Sequence, residues 1–287
     1  SYITDSFRSI QRSFSRFVSI IAIVAIGSGL FCGLNAIGPD MIDTANTYYD
    51  EYNLMDLRLQ SYLGLYDEDL EKVRQIEGVE AVQGVKFVDG YVQVPDENGK
   101  YEGIVDIDGS EMTIRVSGLN LEDAINFQNR ELIADYVDNK GYINRLQLLE
   151  GRYPESPNEC VVTCSGLTTP EQFVIGNTLK IRGDDEEDIG YYLKNNMLTI
   201  VGIIQTPYWV SYERGVTTAG SGKLGDFIYV SNDAFTDKIN YYSEAYVTLE
   251  GADEYEAYSE EYDEYVFLQT QPQLYKYIKE DCPEMYE

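Results

Sequence analysis

The side chains that carry most protein chemistry are sparse in this chain. It has no histidine, so neither a Ser/His nor a Cys/His nucleophile pair can be assembled from it. The four cysteines are Cys32, Cys160, Cys164 and Cys282. Cys160 and Cys164 fall in an apparent strand, ECVVTC, where residues four apart lie about 13 Å from one another, beyond disulfide reach. Without histidine or a CxxC pair, structural zinc is not indicated. GSGK at Gly220–Lys223 invites a phosphate-loop reading, but Thr217 and Leu224 stand where such a loop needs a glycine and a magnesium-binding hydroxyl. The acidic run Asp184–Asp188 lacks the alternation and central glycine of a calcium loop and reads as a solvated charge run. Fifty acidic residues guarantee adjacent carboxylates by chance, so a glycosidase pair finds no positive signal. The chain is read as a non-enzyme with no cofactor and no metal of its own.

Charge excludes another class. Fifty acidic against 21 basic residues give a formal net charge of −29, which repels nucleic acid. A hydrophobic content of 44% with 26 tyrosines is nevertheless too rich for a disordered acidic chain, and a packed core of one or two domains is expected.

The element that positions everything else is Phe17–Gly38, an uncharged apolar stretch. As a helix rising about 1.5 Å per residue it spans roughly 33 Å, enough to cross a bilayer. Arg8, Arg12 and Arg16 precede it and the acidic bulk follows, which places the N-terminus in the cytoplasm and the bulk outside. A removable signal peptide is the rival. Against it stand the length of the run, the poor cleavage pair Leu34 and Ala36, and the segment ahead of it; bulky Phe31 opposes lipoprotein processing at Cys32. In residues 1–16, Ile3, Phe7, Ile10 and Phe14 share a helical face opposite the arginines, as in a helix lying in the lipid headgroup layer. Gly29 and Gly33 form a GxxxG pair suited to close helix packing.

Beyond the span, 39–54 reads as a helical stalk. Alternation then begins at Met55–Gln60, followed by a helix whose acidic first turn is Asp67–Asp69 and whose end is marked by Gly78. Strands are expected through Val79–Val94, Ile104–Ile107, Met112–Val116 and Ala245–Leu249, and a helix at Asp253–Tyr265 with Tyr255, Tyr258, Tyr262 and Tyr265 as a core-facing stripe. The expected architecture is α+β: 55–143 and 231–265 form one extracellular subdomain, 144–230 a β-rich inserted lobe, and 266–287 stays unassigned.

In order, RSIQRSFSRFVSIIAIVAIGSGLFCGL, DLRLQS, LEKVRQIEGVEAV, LLEGRYPESPNECVVT, FVIGNTLKIRG and LTIVGIIQTPYWVSYERG resemble the permease subunits of FtsX/MacB-type ABC transporters, over about residues 1 to 265. The motif-bearing positions are Gly151, Arg152, Pro154 and Glu159, followed by Gly202, Arg214 and Gly215. The resemblance implies a MacB-like extracytoplasmic domain inserted after a first transmembrane helix. It also implies a partner ATPase in the cytoplasm that uses the ATP, membrane lipid, further permease spans or a second permease copy, and an extracellular partner protein or substrate. Motion would pass from ATPase to outer domain rather than through a conventional pore. No second apolar run of comparable length follows Gly38, which suggests a chain cut before later spans. The absence of N-glycosylation sequons suits a bacterial cell membrane. The competing functions are a single-span anchored binding or sensor module and an anchored hydrolase.

Overall fold

The computed structural model describes residues 14–96, 98–105, 109–163, 170–183, 186–209, 215–257 and 259–269. The expected interfacial helix of 1–16, with Arg8 and Arg12, therefore lies almost wholly outside the described residues, as do Cys164, Cys282, Arg214 and everything after Gln269.

Helix α1 runs from Phe14 to Glu51 and is 38 residues long. It is the one described helix long and apolar enough to cross a membrane, with a mean hydropathy of 2.4 in its most apolar window. Three polar side chains of its apolar stretch bond back to the helix's own carbonyls. Ser19 Oγ donates to the Ser15 carbonyl, Ser28 Oγ to Val24, and Asn35 Nδ2 to Phe31, so none brings an unsatisfied donor into an apolar medium. Pro39 lies inside the helix and forgoes one ladder bond without ending it. The chain divides into two compact units, 1–48 and 49–287; the final residues of α1, from Tyr49, belong to the second.

The second unit is a mixed α/β domain on two sheets. The smaller is antiparallel, with β11 (Tyr242–Leu249) between β1 (Leu57–Leu65) and β2 (Val79–Val85). Its core is Leu65, Val79, Val82, Ala245, Val247 and Leu249 with Leu70 and Val73 of α2 (Asp67–Arg74). Helix α2 begins where the Asp69 carboxylate accepts from the Tyr66 amide, with acids in its first turn and Lys72 and Arg74 in its last, both favourable to the helix dipole.

The larger sheet has eight strands: β3 (Phe87–Pro95), β4 (Tyr101–Gly103), β5 (Thr113–Leu119), β6 (Gln147–Gly151), β7 (Glu159–Thr163), β8 (Thr178–Arg182), β9 (Met197–Gln205) and β10 (Asp226–Ser231). Six of them close on themselves, in the order β3-β5-β10-β7-β9-β8, because β8 pairs both β9 and β3. A closed ring leaves no unpaired edge around its circumference. It is filled by residues of almost no exposure, among them Val92, Ile114, Val116, Cys160, Val162, Leu179, Ile181, Leu198, Ile200 and Ile228.

This strand set corrects the expected partition. Strands β3, β4 and β5, assigned to the 55–143 subdomain, pair in the same sheet as the strands of 144–230. The ring needs β3 for its seam with β8 and β5 as the parallel neighbour of β10. Two smaller differences have the same origin in burial. The acidic loop after Arg182 contains helix α4 (Glu186–Tyr192), because Ile189 and Leu193 are buried on the ring. The tyrosine-rich helix begins only at Glu260 (α5, Glu260–Gln269). Tyr255 precedes it and Tyr258 lies outside the described residues, while Tyr262 and Tyr265 pack against the small-sheet core.

Candidate functional site

Motif residues from three strands meet at one corner of the ring. Strand β6 ends at Gly151, whose register partner on β9 is Gly202. Gly151 has φ +80°, and a Cβ there would stand 2.2 Å from the Val201 carbonyl oxygen; one on Gly202 would stand 2.4 Å from the Arg152 carbonyl oxygen. Only glycine lets the two backbones approach this closely. Bulges in the β6–β9 and β7–β9 pairings fall beside these residues and turn the chain. Arg152 then donates through Nη1 and Nη2 to Oε2 and Oε1 of Glu159 at 2.8 and 2.7 Å, and the Glu155 amide donates to Oε2 at 2.7 Å. Pro154 is buried in the turn between them, next to Tyr153, whose hydroxyl donates to the Leu146 carbonyl at 3.1 Å. The hydrogen bonds from Arg152 hold the Glu159 carboxyl down to about 2. With both oxygens occupied, this carboxylate fixes the corner and is no acid or base for chemistry at neutral pH.

Gly215 is not part of that corner. With φ +103°, it accepts from the Leu224 amide at the neck of the glycine-rich loop. The Gly225 amide donates to the Thr113 carbonyl at 2.7 Å, Thr113 Oγ1 donates to the Lys223 carbonyl, and a Cβ on Gly220 would meet Thr113 and Tyr91. GSGK is thus a turn folded onto the ring. Among the span residues, Arg16 is exposed at the start of α1, and Gly29 and Gly33 have open space around them.

Two arrangements escaped the sequence reading. The first locks the end of α1 into the second unit. Arg145, almost wholly buried, donates to the carbonyls of Tyr142, Asn139 and Glu51 and to Asp138 Oδ2, the last at 2.8 Å. Glu51 also pairs with Arg130. Tyr52 is buried edge-on against Phe127 of α3 (Leu121–Gln128), with centroids 5.7 Å apart. Asn53 and Asn144, both at positive φ, complete the lock: the Asn144 amide donates to the Asn53 carbonyl, and Asn144 Oδ1 accepts from the Met55 amide. A cation on the last carbonyls of a helix is favoured by its dipole. The second arrangement lies within the larger sheet. Arg115 on β5 forks onto Asp89 on β3 at 2.8 and 2.9 Å and lies 3.7 Å above the Phe87 ring. Nearby, buried Glu244 accepts from Tyr246 at 2.8 Å. The only sequence signal for it is a charge interrupting apolar strands, Arg115 in TIRVSGL and Asp89 in FVDGYVQV.

Reactive groups are absent from these places. Burial pushes the Cys160 thiol far up, so it carries no thiolate. Among the described residues, no three His, Cys, Asp or Glu side chains converge on a metal position.

Comparison with protein-family models returns no match, and neither does comparison with curated proteins. Among solved structures the chain is similar to extracytoplasmic domains of ABC-type transporters. One is the extracellular domain of the noncanonic ABC-type transporter YknZ from Gram-positive bacteria, at 13% identity over 69% of this chain and 86% of that one, with a TM-score of 0.32. Another is the periplasmic region of MacB from Actinobacillus actinomycetemcomitans, at 10% identity over 76% of this chain and 83% of that one, with a TM-score of 0.34.

Proposed function

We propose that the chain belongs to the permease subunit of an FtsX/MacB-type ABC transporter, with α1 as a membrane span, its N-terminus cytoplasmic and the mixed α/β domain outside a bacterial cell. One observation carries the reading. Gly151, Arg152, Pro154 and Glu159, the residues through which the sequence resembles that family, fold with Gly202 into a single interlocked corner. A cytoplasmic ATPase supplies the power stroke, and further spans or a second permease copy pack along α1. The outer domain passes the motion to a substrate or an extracellular partner protein. The lock around Arg145 suits this role, because α1 runs unbroken into residues that the outer domain grips at Glu51 and Tyr52.

The reading is tested in two arms. The full-length protein, extracted in mild detergent from its own host, is expected to carry an ATPase with a phosphate-binding loop; repeated recovery without one overturns the transporter assignment. For topology, Lys100→Cys in a background with all four native cysteines replaced by serine is expected to react with a membrane-impermeant maleimide in intact cells. Labelling only after lysis overturns the orientation.

A further inference from the structure

Among the described residues, the two most exposed large apolar side chains are not in the membrane helix. They are Leu132 at 85% and Val137 at 83%, above every residue of α1. Both stand on the connection that follows α3 (Leu121–Gln128), with Ile133 exposed beside Leu132 and Ile125 exposed on α3 itself. The chain keeps turning past α3: the Asn129 amide donates to the Ile125 carbonyl, and the Leu132 and Ile133 amides donate to the Asn129 carbonyl. Ile133 therefore comes two helical turns after Ile125, a spacing that shares a face. Single apolar residues on a surface are ordinary, whereas several gathered on one short stretch mark a contact surface.

The stretch is tied down on its inner side, so the exposure is built into the fold. Phe127, on the buried face of α3, lies edge-on to both Tyr52 and Tyr142, with the guanidiniums of Arg130 and Arg145 4.3 and 5.0 Å from its ring centre. Arg130 pairs with Glu51, Asn139 Nδ2 donates to Asp123 Oδ1 at 2.7 Å, and Arg145 holds Asp138. Asp135 sits at φ +57°, a left-handed conformation that costs energy outside glycine and persists where its surroundings enforce it. An apolar surface organised in advance loses little freedom on meeting a partner.

Charge decides what covers this surface. Glu122, Glu131 and Asp135 are exposed among the apolar side chains and make no ion pair among the described residues, while Arg130, the one base between Leu121 and Val137, is committed to Glu51. A second copy of the chain would bring the same acids against them, and an anionic lipid surface would be repelled. A partner with a basic rim meets neither obstacle. We propose that Ile125, Leu132, Ile133 and Val137 form a docking surface for a cationic amphipathic segment of another protein. Its apolar side chains cover these four, and its lysines or arginines meet Glu122, Glu131 and Asp135. The inference gives a chemistry to the extracellular partner protein of the transporter reading and rests on that reading for the partner's location. Loss of the ATPase or of outside labelling would remove that reading and leave the peptide binding tested below untouched.

The test uses the full chain in phosphatidylcholine nanodiscs, with all four native cysteines replaced by serine and an environment-sensitive fluorophore on Asn126→Cys, beside the surface. It is titrated with a model amphipathic helix of leucine and lysine, with its leucine–glutamate counterpart and with a serine–lysine peptide that keeps the charge alone. The leucine–lysine helix is expected to shift the fluorophore, and the other two to bind at least about tenfold more weakly. Leu132→Ser/Val137→Ser should weaken the leucine–lysine helix about tenfold or more by loss of apolar contact. Glu131→Gln/Asp135→Asn should weaken it a few-fold, and by less as salt is added. Val216→Ser, exposed elsewhere on the domain, should leave binding unchanged. Equal binding of the leucine–glutamate and leucine–lysine helices overturns the proposal. So does a Leu132→Ser/Val137→Ser variant no weaker than Val216→Ser, with near-UV circular dichroism showing that both are folded. A shift of the fluorophore produced without peptide, by phosphatidylglycerol in the nanodisc or by raising the protein concentration, would also overturn it, in favour of lipid or of a second copy.

Discussion

Arg145 Nη1 donates to the Glu51 carbonyl at 3.1 Å, joining a buried guanidinium from the middle of the domain to the final turn of the 38-residue helix that precedes it. That one side chain also serves two further carbonyls and a carboxylate, so its loss strands several acceptors at once. Arg145→Met, of similar volume, is expected to cost about 3 kcal/mol, seen as a melting temperature about 6–12 °C lower for a domain of this size. Arg145→Lys should recover only part, since an ammonium cannot reproduce the planar fork. Differential scanning calorimetry of the detergent-solubilised protein measures both. A loss under 1 kcal/mol for the methionine variant would contradict the role assigned to this residue.

The Gly151–Gly202 contact makes a sharper demand. Added methyl carbons would overlap backbone oxygens at 2.2 and 2.4 Å, and backbone cannot swing aside as a side chain can. Gly202→Ala should destabilise by about 3 kcal/mol or more, and Gly151→Ala by a similar amount because its positive φ adds strain to the overlap. Gly190→Ala, at an exposed position of α4 with open space around it, should be neutral or slightly stabilising. Urea midpoints for the three variants decide the matter, and a harmless Gly202→Ala would remove the steric account of the corner.

How much of this was readable in the sequence follows the range of the interactions. The apolar span, the strand alternation around Leu57 and Leu59, the helix with Asp67–Asp69 at its start and the turn at Gly78 are set within a few residues, and the pattern discloses them. Ring closure is set by pairs such as Tyr91 with Arg182, and no local period reports a partner so distant. Strand β1 runs on through Leu65, beyond the alternation of Met55–Gln60, because its register with Tyr242 extends past a bulge. Arg145 in YINRLQ resembles any surface arginine until the carbonyl of Glu51 is brought to it. The small cavity beside the end of α1 is lined by positions as far apart as Asp50 and Tyr262. The Gly151–Glu159 motif was visible, since its residues are close in sequence; that Gly202 completes it was legible only through resemblance.

The same corner predicts an acid dependence. Glu159 has its folded pKa depressed to about 2, below the usual carboxylate value of about 4.3. Its contribution is therefore fully present above that unfolded value and is lost as pH falls from there towards 2. Because Arg152 is 44% exposed, the contribution is about 1 kcal/mol or less after screening by solvent. Unfolding midpoints of the parent protein should fall relative to Glu159→Gln as pH drops from 5 to 2.5, with the gap narrowing at the acid end. A gap constant across that range would deny the carboxylate its part.

The Arg115–Asp89 pair, register partners on β5 and β3, tests whether this buried crossing of the ring depends on charge or on shape. The two side chains are 7% and 11% exposed, so removing either leaves the other charged and buried. Arg115→Met and Asp89→Asn are each expected to cost about 3–5 kcal/mol, whereas replacing both together, as Arg115→Met with Asp89→Leu, should cost much less than the sum. A double-mutant cycle in urea, with Asp89→Leu as its other single variant, measures the coupling. A coupling near zero would mean that the Phe87 ring beneath the guanidinium, 3.7 Å away, and not the carboxylate, is what holds Arg115 in place.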